Sequence, residues 1–246
     1  MSGAAADLTV LWHDLECGGY LADLPLWHEL AESSAGPLLD VGAGSGRVAL
    51  DLARGGTDVV ALDLDPVLLT ALSERAQADG LTIETVAADA RTFDLGDRTF
   101  ATILAPMQTV QLLGGHDGRL AFLRRVRQHL APGGLFAAAL ADALEGFDAE
   151  HTEPPLPDML ERDGWVYASQ PVALRVDEQG AVIERIRQTV APDGARTAEG
   201  DAIRLDRLDA PTLEQEGVEA GLTVAGRRRI EQTEDHVGSE VVLLRG

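Results

Sequence analysis

The sequence predicts an α/β protein built on a doubly wound seven-stranded sheet whose last strand is antiparallel, with an added antiparallel β subdomain. Three observations support this fold class. Short apolar runs alternate with helical patterns over residues 36–142, as in parallel βαβ units with right-handed crossovers. Strand-like runs joined by turns occupy residues 160–208. A helical pattern and two further strand-like runs follow over residues 209–246.

The core elements have recognisable starts and ends. Asp65 and Pro66 suit a helix N-cap and first helical position, and the Gly55-Gly56 pair ends the helix before them. In order, the pattern predicts strands over 38–41, 58–62, 81–87, 100–105 and 135–140, and helices over 46–53, 67–78 and 117–130.

The flanking segments complete a single predicted domain over residues 1–246. Apolar spacing near 3.6 residues predicts one helix over 7–34, within an N-terminal lid at residues 1–35. The inserted strands are predicted at 165–176, 181–190 and 202–208, and they either cover a pocket or form a homodimer contact. A helix over 211–220 and strands over 222–230 and 240–244 are predicted to complete the sheet.

The composition narrows the classes of partner. The 246 residues carry a formal charge of −21, which argues against nucleic acid or an anionic membrane as the main partner. No apolar run reaches the roughly 20 residues that a membrane-spanning helix needs, and the start lacks a signal-peptide pattern. We therefore expect a cytoplasmic protein. With Cys17 as the one cysteine, neither a disulfide nor a metal site is expected.

A glycine-rich loop follows the first strand. Asp40 ends that strand, and the sequence Gly42-Ala43-Gly44-Ser45-Gly46 leads into the next helix. Such a loop allows close approach of a ligand to the backbone and to the free N–H groups of the helix. A dinucleotide site needs G-x-G-x-x-G, but Arg47 occupies the place of the third glycine and Gly46 comes one residue early. The loop also lacks the G-K-[ST] of a phosphate-binding Walker loop.

The pattern D-x-G-x-G-x-G resembles the first motif of the class I S-adenosylmethionine-dependent methyltransferases, which have a Rossmann-like fold. Further similarities occur at residues 61–66, 88–90 and 130–135, and in the C-terminal hairpin at 223–244. The resemblance implies that Asp63 binds the ribose hydroxyls, Asp89 the adenine amino group and Asp40 the methionine amino group. It implies S-adenosylmethionine as cofactor and these contacts: Tyr20, Asp40, Gly42, Ala43, Gly44, Gly46, Asp63, Leu64, Asp89, Ala90 and Ala105.

The sequence also bears on the methyl acceptor and on the catalytic group. Methyl transfer from a sulfonium is an in-line displacement that needs alignment and exclusion of water, and we find no catalytic motif. The acidic, covered site suggests a small-molecule acceptor, with Gln108 and Gln111 as candidate substrate contacts. The histidines considered as bases are His116, His151 and His236. A protein that binds S-adenosylmethionine without catalysis, or a nucleotide-dependent oxidoreductase, remains the alternative.

Overall fold

The computed structural model describes residues 3–33, 35–141, 146–233 and 237–246. The six α-helices are α1 (Gly3–Cys17), α2 (Leu24–Glu32), α3 (Arg47–Arg54), α4 (Pro66–Ala78), α5 (Gly115–His129) and α6 (Ala210–Glu219). The strands are β1 (Leu38–Val41), β2 (Val59–Asp63), β3 (Glu84–Ala87), β4 (Phe100–Ala105), β5 (Leu130–Leu140), β6 (Phe147–Asp148), β7 (Asp158–Arg162), β8 (Trp165–Val176), β9 (Gly180–Val190), β10 (Arg196–Asp206), β11 (Thr223–Ile230) and β12 (Ser239–Arg245).

Seven strands form the core sheet, in the order β3-β2-β1-β4-β5-β12-β11. The pairings among β1 to β5 are parallel, and β12 runs antiparallel to both of its neighbours. This confirms the predicted fold class. The chain winds outward from β1 to β3 and then crosses back to β4, so the order reverses between β1 and β4. Ligands of doubly wound sheets bind at the carboxyl edge of such a reversal point.

A second, antiparallel sheet is formed between β5 and α6 along the chain. Its order is β10-β9-β8-β6, and β7 also pairs with β8. Strands β8 and β9 pair over almost their full length, and β9 pairs with β10 from Val190 to Gly180. The predicted antiparallel subdomain is therefore present, and β6 and β7 are strands that the sequence pattern did not reveal.

Helices cover both faces of the core sheet because alternate residues of the buried strands point to opposite sides. On β4, Ile103 faces a cluster with Phe122 of α5, whereas Leu104 faces a cluster with Trp27 of α2. All four side chains are fully buried. The sheet is thus held between apolar layers, and its carboxyl edge is left for the site.

Several predicted boundaries are wrong. The single helix over 7–34 is two helices, because the chain turns after Cys17 at Gly18-Gly19 and α2 begins again with Pro25 in its first turn. Strand β5 begins at Leu130 instead of 135, and β10 begins at Arg196 instead of 202 because it follows β9 along its whole length. Within the described part of the chain, no helix is both long and apolar enough to cross a membrane.

Candidate active site

A cavity of about 650 Å³ lies at the carboxyl edge of the core sheet. This volume falls within the range of roughly 300–1,000 Å³ that is usual for small-molecule sites. One wall is formed by the ends of β1, β2 and β4, which contribute Asp40, Gly42, Ala43, Asp63, Leu64, Pro106, Met107 and Gln108. The opposite wall, which we call the roof, comes from β9 and β10: Ile183, Arg185, Arg187, Asp201, Ala202, Ile203 and Leu205.

The glycine loop needs its glycines for steric reasons. Gly42, Gly44 and Gly46 have φ angles of 75°, 55° and 99°, in the region that side chains disfavour. A Cβ atom on Gly42 would lie 2.6 Å from Oγ1 of Thr109, and one on Gly46 would lie 2.7 Å from Cγ of the buried Leu72. The loop therefore runs close to neighbouring elements and leaves its other surface to the cavity.

Asp63 fixes the loop to the end of β2. Its carboxylate accepts hydrogen bonds from the backbone N–H of Gly44 at 2.8 Å and of Asp65 at 2.9 Å. Asp65, as predicted, caps α4 by accepting from the N–H of Val67. Each Asp63 oxygen accepts one of these hydrogen bonds and retains capacity to accept another. A carboxylate of this kind in a cavity wall suits a pair of ligand hydroxyls.

Asp40 is a buried carboxylate that makes no hydrogen bond of good geometry within the described residues, although the backbone N–H of Ala49 lies close to it. Burial raises its pKa to about 7 and the charges of Asp63 and Asp23 act in the same direction, whereas Arg47 and the backbone N–H of Ala49 offset only part of this rise. An unpaired buried charge is costly. The side chain, 1% exposed and in the cavity wall, is therefore placed to meet a cationic or hydrogen-bonding group of a ligand.

Arg47 connects the glycine loop to α2. It donates to both carboxylate oxygens of Asp23, at 2.6 and 2.7 Å, and to the carbonyl oxygen of Tyr20 at 2.6 Å. Asp23 also accepts from Nε1 of Trp27 at 2.8 Å. Arg47, which replaces the third glycine of a dinucleotide loop, thus holds the lid segment against the start of α3.

Helix α1 adds a histidine that sequence reasoning did not select. Nδ1 of His13 lies 3.1 Å from the Ser45 hydroxyl, and that hydroxyl donates to Asp14 at 2.6 Å. Since the Ser45 proton is directed to Asp14, His13 must donate through Nδ1, which leaves Nε2 unprotonated. Burial lowers the pKa of His13, so the neutral form is favoured. Only the fold reveals this contact, because 32 positions separate the two residues.

The predicted cofactor residues divide into two groups. Those that line the cavity are Asp40, Gly42, Ala43, Asp63, Leu64, Asp89 and Ala90. Tyr20, Gly44, Gly46 and Ala105 do not line it. Tyr20 is buried below the guanidinium of Arg47, with 5.3 Å from its ring centre to Cζ. His13 covers Gly44, where an added Cβ would lie 2.4 Å from Nε2.

Asp89 lies at the cavity but already has a partner. Its carboxylate accepts from the guanidinium of Arg91 at 2.6 Å and from the Arg91 backbone N–H at 2.8 Å. These hydrogen bonds lower the pKa of Asp89. Arg91 also lines the cavity, so the pair presents a charged edge where the adenine contact was predicted.

The structure separates the two candidate substrate glutamines. Gln108 lines the cavity. The amide of Gln111 is 1% exposed, donates to the carbonyl oxygens of Ala141 and Asp206, and accepts from the N–H of Ala141. This side chain ties β5 to β10 and is not available to a substrate, which corrects its predicted role.

Of the three candidate histidines, His116 and His151 lie in the described residues, and neither lines the cavity. His116 lines a separate depression and is 3.1 Å from the Glu216 carboxylate. His151 is exposed beside Asp148 and Glu150, where Arg175 approaches Asp148 to 3.1 Å. His236 lies outside the described residues. Neither described histidine is brought to the glycine loop, which corrects their selection as bases.

Cys17 also lines the cavity. Burial raises the pKa of its thiol to about 11, and the neighbouring Glu16 charge acts in the same direction. A thiol that stays protonated is a poor nucleophile. Cys17 therefore belongs to the cavity wall and not to the chemistry.

Comparison with known proteins agrees with this geometry. Residues 38–134 match the family described as a methyltransferase domain. An uncharacterized protein of Mycobacterium tuberculosis is 33% identical over 121 residues, 48% of this chain and 42% of the relative. The cypemycin N-terminal methyltransferase of a Streptomyces species is 32% identical over 124 residues, 48% of this chain and 49% of that protein. The chain thus spans less than half the length of these relatives.

Solved structures show the same fold over the whole chain. DesVI of Streptomyces venezuelae has a TM-score of 0.72 at 22% identity, covering 97% of each chain. The S-adenosylmethionine-bound amino pentose methyltransferase CalS10 of Micromonospora echinaspora has a TM-score of 0.67 at 20% identity, covering 100% of this chain and 97% of its own. The sugar N-methyltransferase KedS8 of Streptoalloteichus has a TM-score of 0.72 at 17% identity, with 95% and 90% covered.

The sheet order, the glycine loop and the carboxylates at the strand ends are the features that the predicted resemblance to class I S-adenosylmethionine-dependent methyltransferases requires, and DesVI shares the sheet fold. Residues 38–134 match the methyltransferase domain family, and the whole chain shares the fold of the solved methyltransferases. The predicted fold class is thereby confirmed, and the family match supports the resemblance to methyltransferases that use S-adenosylmethionine.

Replacing Asp63 by alanine is expected to weaken binding of S-adenosylhomocysteine by about 1–3 kcal/mol, or about 5- to 150-fold, the scale of lost hydrogen bonds to a charged acceptor. The loss has two sources, the ligand contact and the tie to the Gly44 N–H. Calorimetric titration measures it. Asp79→Ala, which removes an exposed carboxylate bonded to Arg54, is the control. Unchanged affinity in a folded Asp63→Ala protein would remove Asp63 from the site.

Proposed function

We propose that this chain transfers the methyl group of S-adenosylmethionine to an amine nitrogen of a small acceptor by in-line displacement. The observation that carries the proposal is the cavity itself, which is lined both by the glycine loop and by the roof that β9 and β10 contribute. The choice of nitrogen is supported by the presence of an N-terminal methyltransferase and a sugar N-methyltransferase among the similar proteins.

The residues present fit the cofactor. Asp40 offers a buried carboxylate with no hydrogen bond of good geometry, Gly42 lines the cavity without a side chain, and Asp63 offers a carboxylate with remaining acceptor capacity. We propose that these three hold its methionine and ribose parts, and that Asp89 or its partner Arg91 meets the adenine. The bound cofactor supplies a methyl group that is already activated on a sulfonium.

The chain then has to align the acceptor and exclude water. Ile183, Ile203 and Leu205 of the roof give the cavity an apolar side opposite the glycine loop. Their positions on the paired strands β9 and β10 are fixed by the hydrogen-bonded register. We propose that the roof presses the acceptor toward the cofactor and keeps the reacting atoms dry.

An amine reacts only in its neutral form, so an ammonium acceptor must first lose a proton. We propose that Nε2 of His13 receives it. His13 is kept neutral by burial, and its Nδ1 is engaged by Ser45, which is held in turn by Asp14 and Arg75. His13 would take the base role that the sequence assigned to other histidines.

We also propose that the protein is cytoplasmic and that it forms a homodimer. Strand β10 is the outer strand of the second sheet, and such an edge is where a second copy can pair. The acceptor is expected to be soluble, in keeping with the acidic composition of the chain.

The proposal is tested by incubating the protein with S-adenosylmethionine labelled in its methyl group and with matched acceptors. Each pair differs only at nitrogen, for example glucosamine with glucose, or Ala-Ala with N-acetyl-Ala-Ala. We expect label, and a mass gain of one methylene, in free amines only. Label in the hydroxyl member would overturn the choice of nitrogen. Cofactor binding without transfer to any acceptor would favour a non-catalytic binding protein.

A further inference from the structure

Two arginines of the roof face the cavity from the same side of β9. Arg185 and Arg187 are two positions apart, so they share one face of the strand, and both line the cavity together with Ile183. On the neighbouring strand β10, Asp201 is the register partner of Arg185. The roof is therefore charged at one end and apolar at the other.

Arg187 is fully engaged by carboxylates. It donates through Nε and Nη2 to the two oxygens of Glu16, each at 2.8 Å, and through Nη1 to Asp201 at 3.0 Å. Glu16 also accepts from the Ser169 hydroxyl at 2.7 Å. These contacts form a structural network between α1 and the second sheet, and they engage both Glu16 and Asp201 with Arg187.

Arg185 is left with a donor unmatched. Its Nη1 is buried and has no hydrogen-bond partner among the described residues. The nearest carboxylate oxygen recorded for this group belongs to Asp158, at 4.0 Å, and the Asp158 side chain is 50% exposed, compared with 18% for Arg185. A buried guanidinium donor without an acceptor is costly, so the site is incomplete without an anionic or acceptor group.

We propose that Arg185 binds an anionic oxygen group, a carboxylate or a phosphate, carried by the methyl acceptor. The guanidinium is planar and suits either group in a two-pronged contact. The inference rests on the proposed function, and it narrows the acceptor to an amine that bears a negative group, such as an amino acid, a peptide or an amino sugar phosphate. Arg185 would then select the acceptor while the glycine loop holds the cofactor.

Calorimetry with S-adenosylhomocysteine present tests the proposal, using acceptor pairs that differ only in the anion. Ala-Ala and its C-terminal amide probe a carboxylate, and glucosamine 6-phosphate and glucosamine probe a phosphate. We expect the anionic member of one pair to bind at least about tenfold more tightly, which is the gain of one charge-assisted contact. The pair that shows the preference identifies the source of the anion.

Arg185→Gln is expected to abolish this preference, and Arg185→Lys to retain part of it. Arg204→Gln is the matched control, because Arg204 lies on β10, is 42% exposed and pairs with Asp177 outside this cavity. Thermal unfolding of each variant confirms folding. The proposal is overturned if neither anionic member binds more tightly to the wild type, or if the preference persists in Arg185→Gln.

The same acceptors in the labelled methyl-transfer assay separate this proposal from the proposed function. Equal transfer to the charged and uncharged members would leave the methyltransferase function intact and remove the anion site. Failure of S-adenosylhomocysteine to bind would instead remove the proposed function, whatever the acceptor preference.

Discussion

Replacing Arg47 by alanine is expected to lower the free energy of unfolding by about 3–5 kcal/mol, the scale for breaking a buried ion pair from one side. Arg47 and Asp23 are 10% and 1% exposed, so removal of the guanidinium leaves Asp23 as a buried carboxylate that still accepts from the indole N–H of Trp27. The carbonyl oxygen of Tyr20 loses its donor as well.

A matched control is available on the same helix. Arg54 pairs with Asp79, but their side chains are 54% and 40% exposed, so Arg54→Ala should cost about 0–1 kcal/mol. Urea unfolding followed by circular dichroism measures both variants. If Arg47→Ala were no more destabilising than Arg54→Ala, the attachment of the lid through Arg47 would not be the structural element that we describe.

Replacing Asp40 by asparagine is expected to stabilise the cofactor-free protein at alkaline pH relative to acid pH. The pKa of Asp40 rises from 3.8 to about 7 in the folded state. Between these values the native state holds a proton that the unfolded state has lost, so the Asp40 contribution to stability falls as pH rises. It is fully present below the lower value and lost above the higher one.

The measurement is the difference in free energy of unfolding between Asp40→Asn and wild type, taken at about pH 4 and at about pH 8. Between the lower and the higher pH, we expect the stability of the variant relative to wild type to increase by a few kcal/mol, since one pKa unit corresponds to about 1.4 kcal/mol. Subtracting the wild-type value cancels the contributions that other carboxylates make to the pH dependence of stability. Asp14 and Asp89 are examples, since their lowered pKa values act in the opposite direction. A difference independent of pH would contradict the burial of an ionisable Asp40.

Asp40 also makes cofactor affinity depend on pH. If the ionised carboxylate meets the ammonium of the cofactor, affinity for S-adenosylhomocysteine should increase as pH rises through about 7. The Asp40→Asn protein should lack this increase. An identical pH profile in both proteins would place Asp40 outside the ligand contact.

The sequence predicts most of the core because its signals are local. The Asp65-Pro66 pair fixes the start of α4 to the residue, and the apolar run at 100–105 coincides with β4. The helix over 7–34 fails for a physical reason. The apolar spacing continues across Gly18-Gly19, but Leu21 is 61% exposed and the chain turns there.

The sequence predicts only the part of the site that is formed by the motifs at the ends of β1 and β2. Asp40, Gly42 and Asp63 follow strands whose carboxyl ends meet, so their convergence follows from topology. His13 and Arg185 reach the cavity through α1 and β9, and no local pattern connects them to the loop. The position of Gln111 after β4 predicts an accessible side chain. Its amide instead hydrogen-bonds to backbone groups that are brought near only by the packing of β5 and β10.

A crystal structure of the protein with S-adenosylhomocysteine tests the central claim most directly, because it shows where the cofactor lies. We predict electron density for the ligand in the cavity between the glycine loop and the roof, with its ribose hydroxyls on Asp63 and its amino group directed to Asp40. Density at the depression lined by His116 and Arg119, or a cavity that stays free of ligand at saturating concentration, would contradict the account.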